Sequence, residues 1–357
     1  MRYHPLDLVE RRPRTCIWEI TGACNLRCVH CENHSGERSP RELPMGGMLE
    51  TAGTLARLGC RHVDVTGGEP LLRAGWDALC RRLSDLGMRV ALITNGTLLD
   101  DEALERAVLA GVKIIGVSID GLRETHDRTR LRAVPGRSPW EEAVEALRRA
   151  AARLETVAVT QVNVENLGEL PALRLLLHDL GVRRWQIQLC LPVGRVLELR
   201  GPYVVGPGDL EELTAFIASA NGDGLLPSID TSDSIGYYTD REPLLRKRAS
   251  GQGVWIGCQA GIRSVAITYE GAVRGCSAMP REFDAGDLHD EDFETIWSDE
   301  GRFAYSTRFD AERLEGDCGD CRFGPLCRAG CTSLAWWAGG TIYANPYCLH
   351  RIRGLAR

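Results

Sequence analysis

Between Thr15 and Leu191, short apolar runs alternate with longer segments whose apolar positions recur every three or four residues. The short runs, at 16–20, 62–66, 89–94, 113–119, 156–162 and 185–189, have the length and character of strands. The longer ones, at 45–58, 76–86, 100–110, 139–152 and 167–180, predict amphipathic helices. Alternation this regular implies parallel βαβ units with right-handed crossovers. The expected fold is therefore α/β, a partial (β/α)6 barrel, with its chemistry at the C-terminal ends of the strands.

The pattern changes after residue 193. Residues 194–254 are richer in Gly, Pro, Ser and Asp, with one helical stretch around 209–220, and read as a bridging region. From Trp255 cysteine density rises, and strand-like pieces at 264–268 and 272–274 flank a turn at Glu270-Gly271. The expected division is 1–193 for the barrel, 194–254 for the bridge and 255–357 for a cysteine-rich domain organised by metal. Phe293, Ile296 and Trp297 predict a core-facing helix in that last part.

The chain has 357 residues and a net charge of −6, which argues against a nucleic-acid surface. No run reaches the ~18 apolar residues of a membrane span, and the first fourteen residues lack an apolar signal core, so the expectation is a cytoplasmic protein. Fourteen cysteines cannot form a disulfide framework there, because the cytosol keeps thiols reduced. Ten fall into metal-binding patterns; Cys16, Cys60, Cys80 and Cys190 are expected as buried small hydrophobes.

Cys24, Cys28 and Cys31 form a C-x3-C-x2-C motif directly after the first strand. A cubane [4Fe–4S] cluster given three thiolates keeps one iron open for an exogenous ligand. A zinc site is the competing reading, with His30 or His34 completing it, but no second knuckle lies nearby. Gly67-Gly68-Glu69-Pro70 follows the second strand, where missing Cβ atoms allow close backbone approach and Glu69 can accept hydrogen bonds from an ammonium. The two motifs together resemble a radical S-adenosylmethionine (SAM) enzyme.

A second resemblance covers the C-terminal part. Cys258, then Gly271 and Cys276, then Cys318, Cys321, Cys327, Cys331 and Cys348 follow the pattern of the SPASM extension carried by some of these enzymes. The resemblance implies three [4Fe–4S] clusters: one on Cys24, Cys28 and Cys31, one on Cys318, Cys321, Cys327 and Cys348, and one on Cys258, Cys276 and Cys331. Some relatives supply a fourth cysteine to the last of these; here Ser264 has the comparable spacing, so that iron is open or capped by an oxygen ligand. For SAM it implies contacts from Gly67, Gly68, Glu69 and Pro70, from Asn95 and Ser118 at strand ends, from Arg130 in a bidentate fork to the methionyl carboxylate, and from His30 against adenine. The Asn-Gly and Asp-Gly pairs at these strand ends are turn formers in any case. The glycine that usually follows the arginine is Leu131 here, and Trp336 and Trp337 are expected over the last cluster.

The implied chemistry is reductive cleavage of SAM to a 5′-deoxyadenosyl radical, hydrogen abstraction from substrate, and transfer of a second electron to the auxiliary clusters. A flavodoxin- or ferredoxin-type donor would supply the first electron. The expected activity is two-electron oxidation of a small natural-product alcohol, an aminoglycoside or cyclitol, in antibiotic biosynthesis. The alternatives are a peptide maturase forming a cross-link or oxidised residue, a tetrapyrrole side-chain enzyme, an epimerase with Cys190 as hydrogen-atom donor, and a non-catalytic electron-transfer protein. Ser277 stands where sulfatase-maturing relatives have an aspartate base, which disfavours that activity; no base can be named from the sequence.

Overall fold

The computed structural model describes residues 5–8, 10–200, 202–248 and 251–354. The outermost residues of the expected first and last domains, 1–4 and 355–357, lie outside it. Six parallel strands appear where alternation predicts them: β1 (Thr15–Glu19), β2 (His62–Thr66), β3 (Arg89–Thr94), β4 (Ile114–Ser118), β5 (Glu155–Val162) and β6 (Arg184–Leu189). They pair in chain order, with Thr15 opposite His62 and Val157 opposite Arg184. Helices α1 (Met45–Arg57), α2 (Trp76–Asp85), α3 (Asp101–Leu109), α4 (Arg123–Thr129), α5 (Pro139–Ala151) and α6 (Leu170–Asp179) lie between them. Asp100 caps α3 by accepting from the Ala103 N–H, and Ser138 with Pro139 at the first helical position starts α5.

The sheet does not stop at six. β7 (Ser228–Thr231), in the expected bridge, pairs parallel with β6, and β10 (Ser264–Ile267) pairs parallel with β1. β11 (Ala272–Arg274) and β12 (Gly286–Asp287) extend it antiparallel, making ten strands in all, while β8 (Lys247–Arg248) and β9 (Gly251–Gln252) form a separate ladder. Helix α7 (Leu210–Gly222) precedes β7. The seventh strand escapes the sequence pattern because Ser228–Thr231 is four residues of mostly polar character.

Period-two alternation sorts each strand into two faces. Trp18, Val63, Val65, Val90, Leu92, Ile115 and Val117 are fully buried and belong to one continuous core with the helices. Ile17, Glu19, Asp64, Thr66, Gln186 and Gln188 face the opposite way and line a common cavity of about 530 Å³, so the sheet curls around its inner face as a partial barrel should. Ala91, Ile114, Val157 and Val159 form a small apolar floor beneath it. Cys16, Cys60, Cys80 and Cys190 are buried, as expected of spare thiols.

Candidate active site

The cysteine loop leaves β1 and is gripped from several sides. Gly68 N–H donates to Thr21 O and Glu69 N–H to Ala23 O, both at 2.7 Å. A Cβ on Gly67, whose φ is +149°, would come within 2.5 Å of Thr21 O, and one on Gly68 within 2.2 Å of Ala23 O. The two glycines are thus required by the passage of the loop itself. On the other flank, Arg27 N–H donates to Leu131 O at 2.6 Å and Val29 N–H to Thr129 O at 2.9 Å, so the segment after α4 is zipped to the loop. Leu131 does this without a positive φ, which removes the need for glycine there. From above, Arg195 N–H donates to Cys31 O and its guanidinium to Cys28 O and Ser35 O.

Beneath the loop lies a charged clamp. Glu42 is buried and accepts from Thr21 Oγ1 at 2.6 Å, from Gly22 N–H at 2.9 Å, and from the buried Arg73 guanidinium, which also donates to Leu43 O. These residues carry no local sequence signal; they meet only through the fold.

Glu69 is fully buried, with Oε1 accepting from Thr94 Oγ1 (2.7 Å) and Leu71 N–H (3.2 Å), and Oε2 from Asn95 N–H (2.8 Å). Burial, only partly offset by those donors, pushes its carboxyl up to about 7. Asn95 joins this carboxylate to the cysteine loop: its Nδ2 donates to Asn25 Oδ1 at 2.9 Å and lies 3.9 Å from Cys24 Sγ. Pro70 is buried, opening the turn that follows, and Ser118 ends β4 half-buried opposite Val159.

Arg130 and His30 are occupied by a partner the sequence did not single out. Asp120 is fully buried and takes Arg130 Nε at 2.5 Å and His30 Nε2 at 3.0 Å on one oxygen, with the Gln161 N–H on the other. Burial alone would raise this carboxyl, yet Arg130 and His30 hold it well below the usual range. Arg130 Nη1 reaches to 4.0 Å from Cys28 Sγ, so its fork points at the cluster loop and at Asp120. The His30 ring is buried and stacks on Tyr203 at 6.4 Å between centroids.

The cavity inside the barrel opens onto a vestibule of about 910 Å³, the two sharing Glu19, Glu32, Asn33, Ser277 and Ala278. Glu19 accepts from Asn33 Nδ2 at 2.7 Å and Glu32 from Gln161 Nε2 at 2.9 Å. Burial pushes each carboxyl up to about 7. Groups of this kind exchange protons with a bound substrate at ordinary pH. Cys190 does not line the cavity; its Sγ packs 3.8 Å from Leu191 O.

Farther along, Cys318, Cys321, Cys327 and Cys348 line one small cavity together with Tyr238, Phe323 and His350. Arg328, Ala329 and Gly330 all have positive φ, a left-handed turn that lets Cys327 face this cavity while Cys331 faces another. That second cavity, about 340 Å³, holds Cys258, Cys276 and Cys331 and shares Cys276 and Cys331 with the wall of the barrel cavity. Among the described residues no three His, Cys, Asp or Glu side chains converge tightly enough to grip a single ion. The thiols stand around cavities, an arrangement suited to polynuclear clusters. Trp336 and Trp337, expected over the last cluster, pack instead against Phe283 and Ala278, because the helix Thr332–Gly339 carries them to the vestibule side.

The family model of the Radical SAM superfamily matches residues 18–177, and that of an iron–sulfur cluster-binding domain, SPASM, matches 258–322. The AdoMet-dependent heme synthase of Methanosarcina barkeri is 31% identical over 95% of this chain and 97% of its own length. The chain belongs to the radical SAM superfamily. The mycofactocin maturase MftC of Mycolicibacterium smegmatis is 27% identical over 94% of this radical SAM chain and 83% of its own. Among solved structures, Streptococcus suis SuiB bound to S-adenosylmethionine superposes with a TM-score of 0.73 at 14% identity, covering 94% of this chain and 76% of SuiB, a likeness of fold. Membership implies SAM and a [4Fe–4S] cluster for the radical SAM domain and auxiliary iron–sulfur clusters for the SPASM domain. No helix of the described residues is long and apolar enough to cross a membrane.

Proposed function

We propose that this radical SAM enzyme oxidises a peptide, with Cys24, Cys28 and Cys31 holding the SAM-cleaving cluster. On this reading Cys318, Cys321, Cys327 and Cys348 hold one auxiliary cluster and Cys258, Cys276 and Cys331 another, making three. When bound, these groups supply radical generation and an acceptor for a second electron. The chain's own contribution is to seat the ligands and shape the cavity between them. A flavodoxin- or ferredoxin-type protein is the proposed electron donor.

The observation that carries the peptide reading is the wall of the barrel cavity. Gln161, Gln186, Gln188, Thr231 and Ser232 offer donors and acceptors of the kind a peptide backbone pairs with, and Glu19, Glu32 and Asp64 add carboxyl groups. A small alcohol such as an aminoglycoside finds no support among the relatives named above, which are a heme synthase and a mycofactocin maturase. A tetrapyrrole is the second reading, favoured by the 31% identity to the heme synthase and by Arg41, Arg274 and Arg281 in the vestibule. Its anionic side chains would meet carboxylates in the inner cavity. The epimerase reading loses its donor, since Cys190 lies outside the cavity wall. The deciding experiment incubates reduced enzyme and SAM with a panel of synthetic peptides, and separately with tetrapyrrole carboxylates. Peptide-dependent 5′-deoxyadenosine with a product two hydrogens lighter is expected; turnover confined to tetrapyrroles would reverse the order of the two readings.

Glu69 gives the SAM site a measurable signature. Its carboxyl stands near 7 in the free protein, and N–H donors of a SAM amino group beside it favour the ionised form, so binding should expel a proton. At pH 7 Glu69 contributes roughly half a proton per SAM, and its contribution vanishes as pH rises well above 7, where Glu69 is already ionised. Calorimetry in buffers of different ionisation enthalpy reads this directly. Glu69→Gln should bind SAM more weakly and show a smaller buffer dependence. A buffer-independent enthalpy in the unmodified protein at pH 7 would contradict the assignment.

A further inference from the structure

The cavity around Cys258, Cys276 and Cys331 contains three thiols where a fully ligated cubane needs four protein donors. Among the described residues lining it, Asp233 is the sole anion besides those thiols. The other side-chain oxygens there are neutral: Ser264 Oγ donates to Gly275 O at 3.1 Å, Ser333 Oγ lies 3.2 Å from Cys331 Sγ, and Thr15 and Gln259 also line the cavity. Asp233 follows β7 at the C-terminal end of the sheet and lines both this cavity and the barrel cavity. Its side chain is 44% exposed, while its main-chain oxygen is held from within the structure by a buried tyrosine.

What holds that backbone ties it to a cluster cysteine. Tyr237 is fully buried, and its hydroxyl donates to Asp233 O at 2.9 Å while accepting from the Cys331 N–H at 2.9 Å. One oxygen atom thus bridges the main chains of Asp233 and Cys331. Arg246, also buried, places Nη1 3.6 Å from Asp233 Oδ1 and its guanidinium over the Tyr237 and Trp255 rings. Tyr237 fixes the position of the aspartate and Arg246 balances part of its charge. Carboxylate oxygen is a competent iron ligand, and Asp233 brings one to the cavity that the three thiols line.

We propose that the Asp233 carboxylate is the fourth protein ligand of the cluster held by Cys258, Cys276 and Cys331, with Tyr237 as its positioning residue. The proposal rests on the three-thiol assignment above. Its consequence is that this cluster is coordinatively closed toward the substrate cavity, so that it receives electrons without binding the substrate through iron.

The test uses the full chain, reconstituted anaerobically with ⁵⁷Fe and saturated with SAM so that the first cluster has no free iron. Mössbauer and electron paramagnetic resonance spectra are recorded with and without cyanide as a probe for open iron. The unmodified protein should show one oxygen-ligated iron and no cyanide response at the auxiliary clusters. Asp233→Cys should convert that iron to the all-thiolate signature, and Asp233→Ala should gain a cyanide response. If Asp233→Ala folds poorly, Asp233→Cys against the unmodified protein still decides, because it keeps a ligand at the same corner. An auxiliary cluster that already binds cyanide in the unmodified protein, or identical spectra for it and Asp233→Cys, would overturn the role of Asp233. A chain that takes up only two clusters would instead overturn the three-thiol assignment. Tyr237→Phe should broaden the oxygen-ligated iron signal while leaving total iron unchanged.

Discussion

Replacing Cys24, Cys28 and Cys31 together by alanine should lower bound iron from about twelve to about eight per chain and abolish 5′-deoxyadenosine formation. On the proposed assignment the three thiols serve one cluster, so the loss is complete in one step, and the two neighbouring histidines are engaged elsewhere: His30 with Asp120 and Tyr203, His34 with Glu198. The fold should survive, since the loop is held by backbone contacts to Thr21, Thr129 and Leu131 and by Arg195, none of which needs the thiols. Iron analysis, circular dichroism and product chromatography on the same preparation check all three parts. A triple variant that still releases 5′-deoxyadenosine would end the reading of this loop as the radical-generating site.

The second large effect is expected far from any cysteine. Arg73→Ala leaves Glu42 as a buried charge with its main counterion gone, a change that typically costs about 3–5 kcal/mol. Arg38 lies 2.9 Å from Glu42 as well, but it is mostly exposed and cannot replace the buried guanidinium. Because Glu42 also holds Thr21 and Gly22, the damage should reach the start of the cysteine loop. Denaturant melts should show the loss of stability, and cluster uptake at the radical SAM site should fall below that of the auxiliary sites. Glu42→Gln, which keeps the shape and lowers the charge, should recover part of both. An Arg73→Ala protein as stable as its parent would show that the clamp is incidental.

Neither Glu42 nor Arg73 could be picked from the sequence, and the reason is general to this chain. The first cysteine motif was legible because Cys24, Cys28 and Cys31 lie within a few residues of one another, so the pattern is written locally. The glycines of Gly67-Gly68 were legible because close backbone approach leaves a compositional mark. Strands β1 to β6 and their helices followed from periodicity, which burial on one face imposes on every stretch of that length. By contrast Glu19, Glu32, Asp64 and Asp233 meet only because the sheet curls, and single acids in strands and loops have no pattern to betray them. Asp120 looked like turn chemistry until its position under both Arg130 and His30 was visible. Strand β10 was foreseen as a strand, but nothing local revealed that its neighbour would be β1.

That pairing sets a schedule for biosynthesis. Thr15 waits for Ser264 as its partner, so the first strand leaves the ribosome with one edge unpaired until about 250 further residues have been added. At typical elongation rates of about 5–20 residues per second, the interval is roughly 10–50 s. During it an unpaired β-edge and the three thiols of the cysteine loop are exposed together on the nascent chain. Iron delivered before the C-terminal half emerges would meet an unfinished site, and oxidants would meet free thiols. Insertion of the first cluster is therefore expected to follow release of the complete chain.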